Sequence, residues 1–492
     1  MQQATMNQEP SCTELAPGLN VPRVVMGLWQ VADMERGGRT LDAERAADAL
    51  ESHVKAGFFA FDMADHYGSA EVIAGRLVAR GLQPQPRAFT KWCPEPGPMT
   101  ASVVREAVDR ARQRLGVGQI DLLQFHWWQY ANPAYIDALR ELSALREAGS
   151  IAHLGLTNFD TDHLRLLLAL GLPIVTNQVS FSLLDRRAAG RMSALCARSG
   201  VKLLAYGTLG GGFLSDEWVG RTEPTNVVDW SKSKYRRFID AIGGWPALQT
   251  ILRAARQIAD RHRVSVANVA VRWVLEQPAV GAVIVGMRPG KRDHSVDNRT
   301  LFSFAFDDED RDRLEEAFAA CTPLTGDCGD EYRRPPFLTA SGDLSHHLAS
   351  LPAAFPVHSV PAAPHRMRVD SGTPWEPLAG YSRAIRDRDR ILVSGTTATH
   401  PGIGPICPGD AEAQTIYALD KVIASIEALG GRREDIVRTR IFLRDTARWQ
   451  AVAEVHGRML GDVLPANTML GNAELIGGYE VEIEAEASVR LK

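Results

Sequence analysis

Four residues between positions 62 and 126 combine into a set that could handle a proton: Asp62 and Tyr67 in FDMADHYGSAE, Lys91 in FTKW and His126 in DLLQFHW. A phenol titrates near pKa ~10 in water and donates poorly at neutral pH. An ammonium within a few ångströms favours the phenolate, and a carboxylate beside the ammonium keeps it charged and aimed. On this reading Asp62 holds Lys91, Lys91 tunes Tyr67, and Tyr67 is the acid for an alkoxide formed when hydride attacks a carbonyl. His126 would orient or polarise the carbonyl oxygen. Singly, each has a plainer role: Asp62 as cap of a helix starting near Ser69, Tyr67 as packing, Lys91 as a snorkelling lysine, His126 as a satisfied core histidine.

The elements that must position these residues alternate regularly. Eight apolar runs, VVMGLWQ, FFAFDMA, AFTKW, IDLLQFHW, IAHLGLTNF, PIVTNQVSF, VKLLAYG and AVIVGM, are separated by segments with helical spacing such as TASVVREAVDRARQRLG. Eight βα units in series predict an α/β fold, a (β/α)₈ TIM barrel. A doubly wound open sheet is the alternative, but no early GxGxxG follows a strand. The runs end in Trp29 with Gln30, Asp62, Lys91, His126, Thr157 with Asn158, Gln178, Tyr206, and Gly286 with Arg288. In a parallel barrel all of these meet at the C-terminal rim.

A barrel does not use up 492 residues, so a second domain is expected. Residues 322–377 hold nine of the 27 prolines without sustained periodicity and read as a linker or arm. Residues 378–492 then show a hairpin, two helical segments and further strands, a smaller α+β domain. Hydrophobic residues at 45%, charged residues at 23% and a net charge of -4 fit a soluble globular protein and give no basic surplus for nucleic acid or an anionic membrane. The first residues lack a signal-peptide pattern and no long apolar run follows, so a cytoplasmic protein is expected. Six cysteines are scattered without CxxC or His/Cys clustering, so no metal site or disulfide framework is expected.

Taken together, FDMADHYGSAE, FTKW, DLLQFHW, GLTNF, NQVSF and AYGTLGGGFL resemble the successive signatures of the aldo-keto reductase superfamily, over roughly residues 20–321. The resemblance implies a nicotinamide cofactor bound without a Rossmann domain, with Asp62, Tyr67, Lys91 and His126 as catalytic tetrad. Thr157, Asn158 and Gln178 match positions that hydrogen-bond the carboxamide, and Tyr206 matches the aromatic residue that stacks on the nicotinamide. Trp29, Trp127 and Trp128 match the substrate-pocket wall. In the segment VGMRPGKRDHSVDN, Gly286, Arg288, Lys291, Arg292 and Asn298 are the expected phosphate and adenine ligands, with Asp297 beside them, and the cluster of cations favours NADPH, with NADH as the other candidate. Met63 stands where the family has threonine, and His294 where an arginine is common.

The C-terminal part resembles the Rid (YjgF-like) family through YSRAI, ILVSGT, DIVRTRIFLRD, LPAN and VEIEAEA. This implies a chorismate-mutase-like fold and a homotrimer with clefts between subunits, lined by Tyr381, Ser394, Asn467 and Glu484. Asn467 replaces the arginine that clamps a substrate carboxylate in the deaminase branch, so oligomerisation or small-molecule binding is the leading expectation there. The leading reading for the whole chain is an NADPH-dependent oxidoreductase of an aldehyde or ketone. The alternatives are a cofactor-binding regulatory or scaffold protein and an imine or enamine hydrolase.

Overall fold

The computed structural model describes residues 9–31, 41–95, 97–227, 229–288, 293–334 and 351–490. Its amino-terminal part opens with an antiparallel hairpin of β1 (Cys12–Ala16) and β2 (Leu19–Pro22). Eight parallel strands follow: β3 (Val24–Gly27), β4 (Ala60–Asp62), β5 (Arg87–Trp92), β6 (Ile120–Phe125), β7 (Ile151–Thr157), β8 (Ile174–Ser180), β9 (Lys202–Tyr206) and β10 (Val280–Gly286). They close in sequence order, with β10 pairing back onto β3, into the barrel that the alternating pattern predicts.

The barrel is packed solid. Val25, Ala60, Phe89, Leu122, Leu204 and Ala282 form an interior core capped by Leu15, Leu19 and Val21 of the hairpin. A larger apolar layer lies between strands and helices. The helices around the strands are α1 (Ala43–Lys55), α2 (Ala70–Val78), α3 (Ala101–Leu115), α4 (Ala134–Glu147), α5 (Thr161–Ala169), α6 (Arg191–Ser199), α7 (Trp230–Ala241), α8 (Gly244–His262), α9 (Val266–Leu275), α10 (Ser295–Thr300) and α11 (Asp308–Ala319). Local chemistry sets their ends: the Thr100 side chain accepts from Val103 N at the start of α3, and Gly116 takes a left-handed φ of 66° at its end.

Within the segment read as a linker, residues 323–334 fold back onto the barrel mouth, while residues 335–350 lie outside the described residues. Further on, β11 (Val357–Val360) and β12 (Ala363–Val369) pair with each other, and β12 pairs with β13 (Ala384–Asp387). The second domain's sheet therefore begins before residue 378. Pro361 sits in the turn and Pro364 near the start of β12, where a missing N–H is tolerated.

The remaining elements are α12 (Trp375–Ala379), β14 (Arg390–Thr396), the short pair β15 (Thr399–His400) and β16 (Gly404–Pro405), α13 (Ala411–Ala428), β17 (Ile436–Leu443), α14 (Trp449–Leu460), β18 (Ala466–Leu470) and β19 (Val481–Ser488). The sheet order is β11-β12-β13-β14-β19-β17-β18. The two parts meet through α5 and α13. His163 Nε2 lies 2.8 Å from Asp420 Oδ2, Arg165 donates to Asp410 at 2.9 Å, and Arg458 donates to Asp162 at 2.9 Å. Burial would push the His163 ring down, but the Asp160 and Asp420 carboxylates outweigh it and raise it to about 10. Among the described residues no helix is long and apolar enough to cross a membrane.

Candidate active site

The strand ends converge on a cavity of ≈ 880 Å³ at the C-terminal mouth of the barrel. Asp62, Tyr67, Lys91 and His126 all line it. Lys91 Nζ donates to Asp62 Oδ2 at 2.5 Å and to the Met63 carbonyl at 2.7 Å. Both side chains of this ion pair are buried, at 6% and 5% exposure. The Lys91 ammonium lies 5.1 Å from the centre of the Tyr67 ring. The carboxylate is further held by Gln124 Nε2 at 3.0 Å and Gln178 Nε2 at 2.7 Å, both donating to Oδ1.

His126 follows β6, the strand paired with the Lys91 strand β5. Its Nδ1 is 3.4 Å from the Thr157 carbonyl, which can only accept, so Nδ1 carries the proton. Nε2 then keeps a lone pair, buried and without a hydrogen-bond partner among the described residues. Burial pushes the ring well below its ordinary range, and the positive charge of Arg333 adds to this. His126 is therefore a neutral ring.

Trp29 and Trp128 line the cavity, Trp29 at 4.9 Å from the Tyr67 ring and Trp128 at 4.4 Å from the His126 ring. Trp127 does not line it. Its ring packs on Phe125 and Tyr135 and its indole N–H donates to the Gln129 and Asn132 carbonyls at 2.8 and 3.0 Å. Successive side chains leave the extended strand end on opposite sides, so His126 and Trp128 face the mouth and Trp127 faces the helix layer. The expectation that Trp127 lines the substrate pocket is corrected accordingly.

Thr157, Asn158, Gln178, Tyr206, Gly286, Arg288 and Asn298 all line the same cavity. Gln178 is turned toward Asp62 and Gln124, which uses both protons of its amide and leaves Oε1 as its acceptor. Arg288 donates to Gln30 at 2.9 Å and to Asp229 at 2.8 Å. Lys291 and Arg292 lie outside the described residues. The wall fits an elongated polar ligand in two respects. Thr208 Oγ1 and Asn298 Nδ2 are buried there without a partner among the described residues. At Gly212 (φ +95°) and Gly286 an added Cβ would meet nothing within 4 Å, so bare backbone faces open space. A nicotinamide dinucleotide has the phosphates and amides to use both features.

The sequence reading missed five residues of this region. Gln124 has no motif to flag it. Glu331 and Tyr332 come from the segment read as a linker, whose charged DEYRR was the one available signal. Lys234 and Arg187 reach them from α7 and from the loop before α6. Glu331 is fully buried, accepts from the Tyr206 hydroxyl at 2.7 Å and pairs with Arg187 at 2.8 Å. At the cavity edge Asp65, His66 and Cys93 bring metal-capable atoms within 4.8 Å of one another, a set the cysteine spacing did not reveal. The Asp65 carboxylate there is shared by His66 Nδ1 at 3.0 Å and the Cys93 backbone N–H at 3.2 Å.

In the second domain the four expected cleft residues do not assemble within one chain. Asn467 donates to Thr439 at 2.9 Å, and Thr439 faces His456 of α14. Glu484 pairs with Arg440 at 3.2 Å, one register position along, hence on the opposite face of the sheet. The Tyr381 hydroxyl accepts from Arg383 at 2.9 Å, and the Ser394 hydroxyl donates to the Ser382 carbonyl at 2.8 Å.

A closed parallel barrel with a lysine–carboxylate pair beside a tyrosine at its C-terminal mouth is the arrangement expected from sequence, and comparison with known proteins supports the barrel. Residues 23–319, more than half of the chain, match the model of the Aldo/keto reductase family, and the chain belongs to that family. Residues 373–489 match the family described as Endoribonuclease L-PSP, which bears out the likeness of the second domain to Rid (YjgF-like) proteins. The chain is 30% identical over 227 residues to Flagellar radial spoke protein 5 of Chlamydomonas reinhardtii, covering 40% of this chain but only 43% of that protein. It is 26% identical over 297 residues to the NADH-specific methylglyoxal reductase of Escherichia coli, covering 54% of this chain and 86% of that one. The glycerol dehydrogenase AKR11B4 of Gluconobacter oxydans shares the barrel fold at 23% identity, with a TM-score of 0.54 over 64% of this chain and 97% of its own.

Proposed function

We propose that the barrel is a nicotinamide-dependent oxidoreductase that reduces an aldehyde or ketone to the alcohol, or runs the reverse reaction, with Tyr67 as the general acid. The observation that carries this reading is the buried Asp62–Lys91 pair set against Tyr67 in a cavity also lined by a neutral His126. A nicotinamide cofactor supplies or accepts the hydride. Lys91, kept charged by Asp62, stabilises the phenolate that Tyr67 leaves behind when it gives its proton to the substrate oxygen. His126, with its Nδ1 proton committed to Thr157, has no proton to give at Nε2. Its lone pair can accept from the hydroxyl of the alcohol but offers a carbonyl oxygen no proton, so it orients the alcohol and leaves protonation of the carbonyl oxygen to Tyr67.

Thr157, Asn158, Gln178 and Tyr206 would hold the nicotinamide end, and the glycine-rich turn after β9 with Arg288 and Asn298 the phosphate and adenine end. We assign NADPH as the preferred cofactor, because Arg288 stands half exposed in the cavity wall where a phosphate dianion could take the place of the Asp229 carboxylate. The relative named for NADH specificity makes that preference worth measuring directly. The test is oxidation of NADPH and NADH at 340 nm against a panel of aldehydes and ketones. Preference for NADPH that falls in Arg288→Ala supports the assignment; equal use of both cofactors, unchanged in the variant, refutes it.

For the second domain we propose assembly into a homo-oligomer, with a trimer expected. The sheet face turned away from α13 and α14 leaves Leu392 and Leu470 41% and 53% exposed, apolar surface suited to burial against another copy. Light scattering coupled to size exclusion reads the mass, and a monomer at micromolar concentration would refute it.

A further inference from the structure

Tyr206, the residue expected to face the nicotinamide, is not held by the barrel alone. Lys234 Nζ, on α7, donates to the Tyr332 hydroxyl at 2.5 Å. The Tyr206 hydroxyl is also hydrogen-bonded with that of Tyr332, and it has two acceptors within reach of its one proton, Glu331 Oε1 at 2.7 Å and Asn158 Oδ1 at 2.8 Å. An ammonium can only donate and a carboxylate can only accept. The contacts therefore link Lys234 through Tyr332 and Tyr206 to Glu331, with an ammonium donating at one end and a carboxylate accepting at the other. Such a chain between opposite charges polarises every bond in it.

Both ends are anchored. Glu331 is fully buried and receives Arg187, which also grips Asp185 through two bonds of 2.8 and 2.7 Å. Burial alone would raise the Glu331 carboxyl, but Arg187, Lys234 and Tyr206 outweigh it and hold it below its ordinary value. Lys234 sits among aromatic faces, 5.1 Å from the Tyr206 ring centre and 4.4 Å from that of Tyr332. Tyr332 in turn lies 5.5 Å from the His126 ring, and Lys234, Tyr206 and Tyr332 all line the catalytic cavity. The segment bearing Glu331 and Tyr332 is fastened to the barrel by Arg333, which donates to the carbonyls of Asn158 and Trp127.

We propose that Lys234, Tyr332 and Glu331 are positioning residues that fix the Tyr206 ring as the platform for the cofactor's nicotinamide, supplied from α7 and from the segment that follows the barrel. The inference rests on the oxidoreductase reading, in which Tyr206 meets the nicotinamide. It predicts that damage to the relay is felt by ligands carrying that ring and not by ligands lacking it. A rigid Tyr206 spares the ordering cost that a loose side chain would incur on binding.

The test uses the full-length chain with Tyr332→Phe and Glu331→Gln. Dissociation constants are measured by calorimetry for NADPH and for 2′-phospho-ADP-ribose, which keeps the adenosine and phosphates but has no nicotinamide. Loss of one neutral hydrogen bond predicts NADPH binding weakened by about 3- to 10-fold in Tyr332→Phe, with the fragment unchanged within about twofold. Equal losses for both ligands would make the relay merely structural, and no loss for either would remove it from cofactor binding; both overturn the proposal. Because Glu331→Gln removes a buried charge beside Arg187, circular dichroism checks its fold, and Tyr332→Phe carries the test if it fails. A wild-type chain that binds neither NADPH nor NADH would instead overturn the oxidoreductase reading itself.

Discussion

Replacing Asp62 by asparagine probes the centre of the site most sharply, because three donors converge on that one carboxylate. Lys91 reaches Oδ2 at 2.5 Å, and Gln178 and Gln124 share Oδ1 at 2.7 and 3.0 Å. Asparagine offers one oxygen and one NH₂, so whichever way it turns, its NH₂ faces another donor. If the oxygen serves the two glutamines, Lys91 is left as a buried cation holding only the Met63 carbonyl. Stranding one member of a buried ion pair costs about 3–5 kcal/mol. At roughly 2–4 °C per kcal/mol for a domain of this size, the apparent Tm of the barrel falls by about 6–20 °C. Lys91→Met strands the carboxylate instead, and the double variant removes both charges together. The double variant is therefore expected to be more stable than the sum of the single losses, by about 2 kcal/mol. Urea unfolding followed by tryptophan fluorescence measures all three. Additive losses, or an Asp62→Asn chain as stable as wild type, would refute the picture of a dry, mutually dependent pair.

Other expectations follow from particular contacts. Trp127→Phe should lose about 1–2 kcal/mol with its two indole hydrogen bonds while leaving kcat/KM unchanged, whereas Trp128→Ala should alter KM across a substrate panel; steady-state kinetics and thermal unfolding separate them. Lys421, buried on α13 with the Thr399 carbonyl as acceptor at 3.2 Å, is pushed down by burial, and further by Arg383, to about 7. Its unfolded state holds the extra proton above that pH, so its penalty shrinks as pH rises, by about 2 kcal/mol between pH 7 and 9. His163, raised to about 10, acts in the opposite sense over the same window, so the reading is the difference between wild type and Lys421→Met, which should narrow with pH; a constant difference refutes it. His163→Gln removes the cation between Asp160 and Asp420, and amide hydrogen exchange should quicken in α5 and α13 first; unchanged exchange there would show the junction does not depend on it.

How much of this was legible in the sequence varies with the range of the contacts. The barrel was legible because each strand carries its own apolar run and each helix its own spacing, and the rim residues were legible because they end those runs. Gln124 was not: it lies inside β6 among apolar neighbours, and only the closed barrel shows it meeting Asp62 from 62 positions away. Trp127 was misplaced because adjacent tryptophans look alike in a motif, while the backbone turns them to opposite sides. Glu331 and Tyr332 lie beyond the last barrel helix in a proline-rich stretch with no period. Their partners, Arg187 and Lys234, are about 100 or more residues distant, and nothing local encodes such pairings. The second domain shows the same limit: Asn467 and Glu484 lie on β18 and β19 with β17 between them, and strand parity puts them on opposite faces.

The most direct test of the central claim is the single-turnover rate of NADPH oxidation by the full-length chain and by Tyr67→Phe, on a carbonyl substrate found in the panel, with the NADPH dissociation constant measured alongside. Removing a general acid predicts a rate lowered at least about 100-fold with cofactor affinity held within about twofold. A Tyr67→Phe chain that oxidises NADPH at close to the wild-type rate would contradict the account, because the proton would then have to come from another group.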